Sequence, residues 1–347
     1  SFDGHVDIAV AVNEPVQQLV LNAIELSIDG VQVDGTEASF RLDEKTERLI
    51  VDASLAIGTY TLSITFRGTL NDKLRGWYRS TYRDEAGEER VIATSQMQAT
   101  DCRRAFPCWD EPDFKAVFDV TLIVEPELLA VSNGEEIQRS PHDGTHKQAV
   151  RFKETMPMST YLVAFCVGPL EATAPVEVAR TGGGTIPVRI IHVPGKGHLT
   201  AFGLDIGAHS LRWYQDYYGI PYPTDKCDML ALPDFAAGAM ENLGCITYRE
   251  NLLLADPATA TQIELQTLAD VVAHEIAHMW FGDLVTMKWW NGIWLNEAFA
   301  TFMEIACCDA YRPDWQRWTT FSLERSMAFE TDSLASTRSV EFPVEAP

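Results

Sequence analysis

Leu268-Ala269-Asp270-Val271-Val272-Ala273-His274-Glu275-Ile276-Ala277-His278-Met279-Trp280-Phe281 is the stretch whose spacing decides how the rest of the chain is read. Its apolar residues recur with helical period, which predicts an amphipathic helix over 268–281. One turn separates positions i and i+4, so the imidazoles of His274 and His278 project from one face and can reach a single tetrahedral Zn2+. Glu275 sits beside that face. A carboxylate there can take a proton from water whose pKa zinc lowers from about 15.7 toward about 7. The third ligand is expected from Glu297, which has eighteen residues between it and His278 and heads a second helical run through Ala310. Three protein ligands leave the fourth position open for chemistry.

Two histidines four apart also occur on surfaces and in hydrogen-bonded cores, so the context has to carry the reading. Trp280, Phe281, Trp289, Trp290 and Trp294 supply enough aromatic area to pack two helices around a metal. Glu297 is preceded by Trp294-Leu295-Asn296 and followed by helical patterning. Glu304 lies two turns further along the same helix face, where it could accept the second N–H of a ligating histidine.

Length and composition fit a two-domain enzyme. The 347 residues suffice for two cores. No apolar run approaches the roughly 18–20 residues that span a bilayer, and the N-terminus lacks a basic segment followed by an apolar one, so neither membrane nor targeting segment is expected. The formal charge of −23 would repel a nucleic acid and attract a cationic group such as a free amino terminus. Seven cysteines, without Cys-x-x-Cys spacing, read as reduced, mostly buried thiols of a cytoplasmic protein. The vicinal pair Cys307-Cys308 is expected to pack within a helix.

The first half is β-rich. Val6, Ile8, Val10 and Val12 alternate with small or polar residues, as do Tyr60, Leu62, Ile64 and Phe66, and again Phe118, Val120, Leu122 and Val124, giving strands with one buried face. Asp29-Gly30, Asp34-Gly35 and Asn133-Gly134 read as the turns between them. A boundary falls near Gly168-Pro169. Beyond it come a strand over 185–193, after a flexible turn at Gly182-Gly183-Gly184, and a helix from about His198 to Tyr218 that stops at Gly219 and Pro221. The expected architecture is mixed α and β: an N-terminal antiparallel β-domain, sandwich or saddle, over residues 1–170, then an α/β catalytic domain over 171–347.

Gly238-Ala239-Met240-Glu241-Asn242 is by itself a tight turn before a strand over 244–248. Joined to His274–Asp283 and Trp294–Glu297, it makes the chain resemble the aminopeptidase N family of zinc metallopeptidases, the glutamate-ligated zincins. Gln96-Met97-Gln98 and Arg104–Pro112 extend the resemblance over most of the chain. It implies a thermolysin-like catalytic domain. It also implies that the substrate backbone lies along Gly238, Ala239 and Met240, and that Glu241 holds the free α-amino group. Such an ammonium has a pKa of about 7.7–8.0 and is largely charged at neutral pH, so a partly desolvated carboxylate would grip it by a charge-assisted hydrogen bond. With the terminus anchored there, only the first peptide carbonyl reaches the metal. Gln98 matches a position that carries Glu or Gln and helps hold the same terminus. Here it is neutral, which leaves the charge discrimination to Glu241.

The chain departs from the family in detail. Gly292 stands where an Asp, and Ala298 where a Gly, is common. The family's oxyanion tyrosine falls in a segment that would follow Pro347, so the catalytic domain is expected to be truncated at its C-terminus and the fragment impaired in turnover. Tyr248 and Tyr311 match no oxyanion position and are expected to be packing residues. The reaction implied is zinc-dependent removal of the N-terminal residue from peptides with a free amino terminus, with one Zn2+ per chain. Three other readings share part of the pattern. A thermolysin-type endopeptidase would not need Glu241. A leukotriene-processing-type epoxide hydrolase usually has Gly at the position of Ala239. A non-catalytic zinc-dependent binding module would have no use for Glu275.

Overall fold

The computed structural model describes residues 1–345; the last two positions of the expected second domain, Ala346 and Pro347, lie outside the described residues. The alternation in the first half produces antiparallel sheets. Phe2–Val12 pairs with Gly58–Gly68 along its whole length, from Phe2 opposite Gly68 to Val12 opposite Gly58. Leu26–Val33 adds to the other side of Gly58–Gly68. A second sheet, Val16–Asn22 with Arg48–Leu55 and Phe40–Asp43, faces it. Leu19, Leu21, Leu49 and Val51 from one sheet meet Val31, Leu62, Ile64 and Phe66 from the other in a common core, as expected where each strand buries every second side chain.

Two of the three expected turns form. Asp34 and Gly35 both take positive φ, 48° and 75°, in the connection from Leu26–Val33 to Thr36–Glu37. Asn133-Gly134 joins Leu129–Ser132 to Glu136–Pro141. Asp29-Gly30 does not turn the chain: it lies inside Leu26–Val33, where the register slips between Ile28 and Gly30. Neither residue takes the positive φ that a tight hairpin turn asks of such a dipeptide; pairing of the segment with Gly58–Gly68 keeps it in the strand instead.

The sheet nearest the candidate site begins at Glu171–Ala172. Its order runs Glu171–Ala172, Thr185–His192, Cys227–Leu232, Cys245–Arg249, Ala239–Met240, with Val176–Ala179 also on Thr185–His192. The pairings of Cys227–Leu232 with both neighbours are parallel, and all six of its residues are buried, as strands covered on both faces are. Helix α1, Ala201–Tyr218, crosses over between Thr185–His192 and Cys227–Leu232 and ends where Gly219 takes the left-handed conformation at φ 64°. Helices α2, Gln262–Ala277, and α3, Ile293–Tyr311, pack against one another, and α4, Arg317–Asp332, follows α3. No helix among the described residues is long and apolar enough to cross a membrane.

Candidate metal centre

Thr261 starts α2 with a capping box: its hydroxyl accepts from the Glu264 N–H at 3.3 Å, and Glu264 Oε2 accepts from the Thr261 N–H at 2.8 Å. Such a box satisfies donors that a helix start leaves open. The helix ends at Ala277 rather than running to Phe281, so His278 is its C-cap, still in helical geometry. The chain then folds back sharply. Gly282 has φ 138°, and a Cβ there would stand 3.2 Å from both His278 Nδ1 and the His278 carbonyl. The turn brings the Phe281 carbonyl to 2.8 Å from His278 Nδ1.

Across the helix pair, His274 meets Glu304 and His278 meets Glu297, so α2 and α3 run in opposite senses. The Nε2 atoms of the two histidines lie 3.0 Å apart. Glu297 Oε2 is 3.3 Å from His274 Nε2 and 3.6 Å from His278 Nε2. Bonds of about 2.0–2.1 Å to a tetrahedral zinc put ligand atoms about 3.3 Å apart, so this donor triangle has the right size. Protonation supports the same fit. A carbonyl only accepts, so the Phe281 oxygen requires the proton of a neutral His278 ring on Nδ1. Glu304 Oε2, 2.6 Å from His274 Nδ1, places the proton of that ring likewise. Both Nε2 lone pairs then face each other beside a carboxylate, an arrangement that a cation at the centre stabilises.

Electrostatics agree. Burial opposes charge on both rings, yet Glu297 and Glu304 raise the pKa of His274 to about 11, and Glu241 and Glu297 raise that of His278 to about 9. Burial lifts Glu275 to about 8 against the pull of the two histidines. Burial lifts Glu241 too, against His278. On Glu297 the two adjacent imidazoles outweigh burial and hold its carboxyl well below the usual range. The carboxylates gathered around the two imidazoles are what a divalent cation at their centre would neutralise.

Glu275 and Glu241 are 6% and 3% exposed. Glu275 Oε2 and Glu241 Oε1 are each buried without a hydrogen-bond partner among the described residues, which is costly unless a ligand or water completes them. Glu241 follows the two-residue edge strand Ala239–Met240, which pairs antiparallel with Cys245–Arg249. Gly238 precedes it and accepts from the Arg249 N–H at 2.8 Å. Gln98 lies two residues past strand Glu89–Gln96, half-buried. From the end of that strand Gln96 Nε2 reaches Met240 Sδ at 3.4 Å, a contact the sequence reading missed although Gln96 stands two positions before Gln98.

The aromatic residues between the two ligand segments divide their labour. Phe281 stacks on Phe299 of α3 with centroids 3.7 Å apart. Trp280 packs among Tyr214, Tyr218 and Tyr222, and Trp290 meets Tyr161 edge to face. Trp294 is 37% exposed. Tyr248 is fully buried, and the Tyr311 hydroxyl donates to Asp205 Oδ2 at 2.6 Å.

Comparison with known proteins matches residues 202–347 to the Peptidase family M1 domain and residues 1–162 to the Peptidase M1 N-terminal domain. The chain belongs to the aminopeptidase N, or M1, family of peptidases. Aminopeptidase M1-A of Oryza sativa subsp. japonica is 44% identical over 355 residues, covering 99% of this chain and 40% of that protein. Aminopeptidase 2 of Candida albicans is 40% identical over 352 residues, covering 99% of this chain and 37% of its own. The Puromycin-sensitive aminopeptidase of Caenorhabditis elegans is 40% identical over 358 residues, covering 100% and 37%. The M1 chain described here thus spans about two fifths of the length of these curated relatives.

Proposed function

We propose that the intact protein is a zinc-dependent aminopeptidase that hydrolyses the N-terminal residue from peptides with a free amino terminus. One observation carries the reading: the convergence of His274 Nε2, His278 Nε2 and Glu297 Oε2 within 3.6 Å of one another, beside two buried carboxylates with free oxygens. Zinc held by these three side chains would supply a Lewis acid that acidifies water and polarises the scissile carbonyl. Glu275 takes the proton from the attacking water and returns it to the leaving amine. Glu241 accepts hydrogen bonds from the substrate ammonium, Gln98 adds a neutral contact to the same group, and the edge of Gly238, Ala239 and Met240 aligns the backbone. Glu304 fixes the ring of His274.

The same reading keeps the division of the chain at 170/171. Supporting it, strand Phe165–Gly168 pairs with Leu129–Ser132 and Glu89–Gln96 of the first half, while Glu171–Ala172 opens the next sheet. A cytoplasmic location is supported by seven buried, unpaired cysteines. The buried carboxylate of Glu241 favours an exopeptidase over an endopeptidase, and Glu275 favours an enzyme over a zinc-dependent binder.

The test compares free-amine and N-acetylated peptides as substrates of the full-length protein, before and after removal of metal by a chelator. Hydrolysis confined to the free-amine peptide, lost with the chelator and restored by zinc, is expected. Equal use of both peptides, or activity indifferent to the chelator, would overturn the proposal.

A further inference from the structure

Asp270 interrupts the apolar face of α2 one turn before His274, and neither the ligand set nor the substrate edge uses it. Its carboxylate is bound by the Arg317 guanidinium, through Nη2 to Oδ2. The side chains of Arg317 and Asp270 are 6% and 16% exposed. Arg317 opens α4, directly after Gln316, which takes the left-handed conformation at φ 51°. The Arg317 backbone N–H donates to Asp309 Oδ1 of α3 at 3.2 Å. A single residue therefore grips α2 through its side chain and α3 through its backbone.

These contacts continue the metal centre outward. Along α2 and its C-cap, Asp270, His274 and His278 are spaced by single turns. Opposite them on α3 stand Cys308, Glu304 and Glu297. Cys308 lies beside the Asp270 carboxylate, Glu304 holds His274 Nδ1 at 2.6 Å, and Glu297 faces both Nε2 atoms. The result is a ladder of three polar rungs across one helix pair, with the guanidinium closing its outer end. Arg317 also lies close enough to Glu304 to stabilise its charge, while Asp270 and Glu304 repel each other.

Stability alone is a poor reason for this pair. Two buried charges generally contribute no more than well-packed apolar residues of similar volume, and here Asp270 Oδ1 and Arg317 Nε stay buried without partners among the described residues. What the pair does provide is geometric restraint next to a ligand whose ring orientation depends on Glu304. We propose that Arg317 is a positioning residue for the metal centre: clamping Asp270 of α2 and Asp309 of α3, it fixes the register in which His274 meets Glu304 and Glu297. The inference rests on the metal reading above.

The test measures zinc affinity of the intact protein by competition with a chromophoric chelator, and the absorption spectrum of the cobalt-substituted site, for Arg317→Met, Arg317→Lys and Asp270→Asn. Partners of metal-ligating histidines typically affect affinity by about 10–100-fold. Arg317→Met and Asp270→Asn are expected to weaken zinc binding about tenfold and to shift the cobalt bands. Arg317→Lys, which keeps the cation, is expected to recover most of the affinity. Affinity within twofold of the parent in folded variants overturns the inference and leaves the metal reading intact. Loss of fold in all three variants also overturns it, because the pair would then serve the whole domain rather than the site. A parent protein that binds no zinc overturns both readings.

Discussion

Asn133, on the turn after strand Leu129–Ser132, donates from Nδ2 to the carbonyl of Leu243 at 2.9 Å, two residues past Glu241. The same amide donates to Leu162 O at 2.8 Å and accepts from the Ala164 N–H at 2.9 Å. One buried side chain in the first half of the sequence thus braces the loop that carries the proposed amine anchor.

Asn133→Ala would leave three buried backbone groups without this partner. Each unsatisfied group costs about 1–3 kcal/mol, so urea denaturation should show at least about 2 kcal/mol of lost stability. Because the Glu241 loop loosens, KM for a free-amine peptide should rise more than kcat falls. A variant with unaltered KM would show that the loop is held without Asn133.

Replacement of Glu275 by Gln keeps the size of the side chain and removes its basicity. Zinc content measured by atomic absorption should be unchanged while kcat falls by about 10²–10⁴-fold, the range for loss of a general base. Loss of zinc would reassign Glu275 as a ligand.

For Glu241→Gln the readout is discrimination between substrates. A hydrogen bond to a charged group contributes about 1.5–3 kcal/mol, which corresponds to about 10–100-fold in kcat/KM for peptides with a free amine. Turnover of an N-acetylated peptide, however slow, should be little affected. Parallel losses on both substrates would remove the anchoring role.

Acid sensitivity should be visible at Asp228. Burial raises its pKa, but Lys226 and Arg189 more than offset that and leave it below its ordinary value of 3.8. A carboxyl with a depressed folded pKa adds stability above its unfolded pKa and loses it as pH falls through the folded one. Asp228→Asn should therefore cost about 3–5 kcal/mol at neutral pH, the usual cost of breaking a buried pair. The gap from the parent should narrow below about pH 4. A gap independent of pH would mean that packing, not charge, accounts for the loss.

Local patterns were legible where one face of an element is buried. The alternation in Phe2–Val12 and Gly58–Gly68 gave the strands, and the spacing of His274, His278, Glu297 and Glu304 anticipated which side chains would face one another across α2 and α3. What stayed hidden depends on the third dimension. Asp29-Gly30 by itself reads as a turn, and only the partner strand decides against it. Gln96 reaches Met240 from 144 positions away. Asp270 looks like a solvated acid on a helix until Arg317, 47 positions on, covers it.

The Ala239–Met240 strand is only two residues long, and it forms the rim of its sheet. A peptide that lines up on so short a rim must arrive already extended, with its leading amides released from any helix or hairpin of its own. Protein chains whose first residues are docked into their own fold would present nothing for that rim to pair with. Under the proposed function the rim would therefore favour frayed chain ends over folded ones, by backbone geometry before any side chain is inspected.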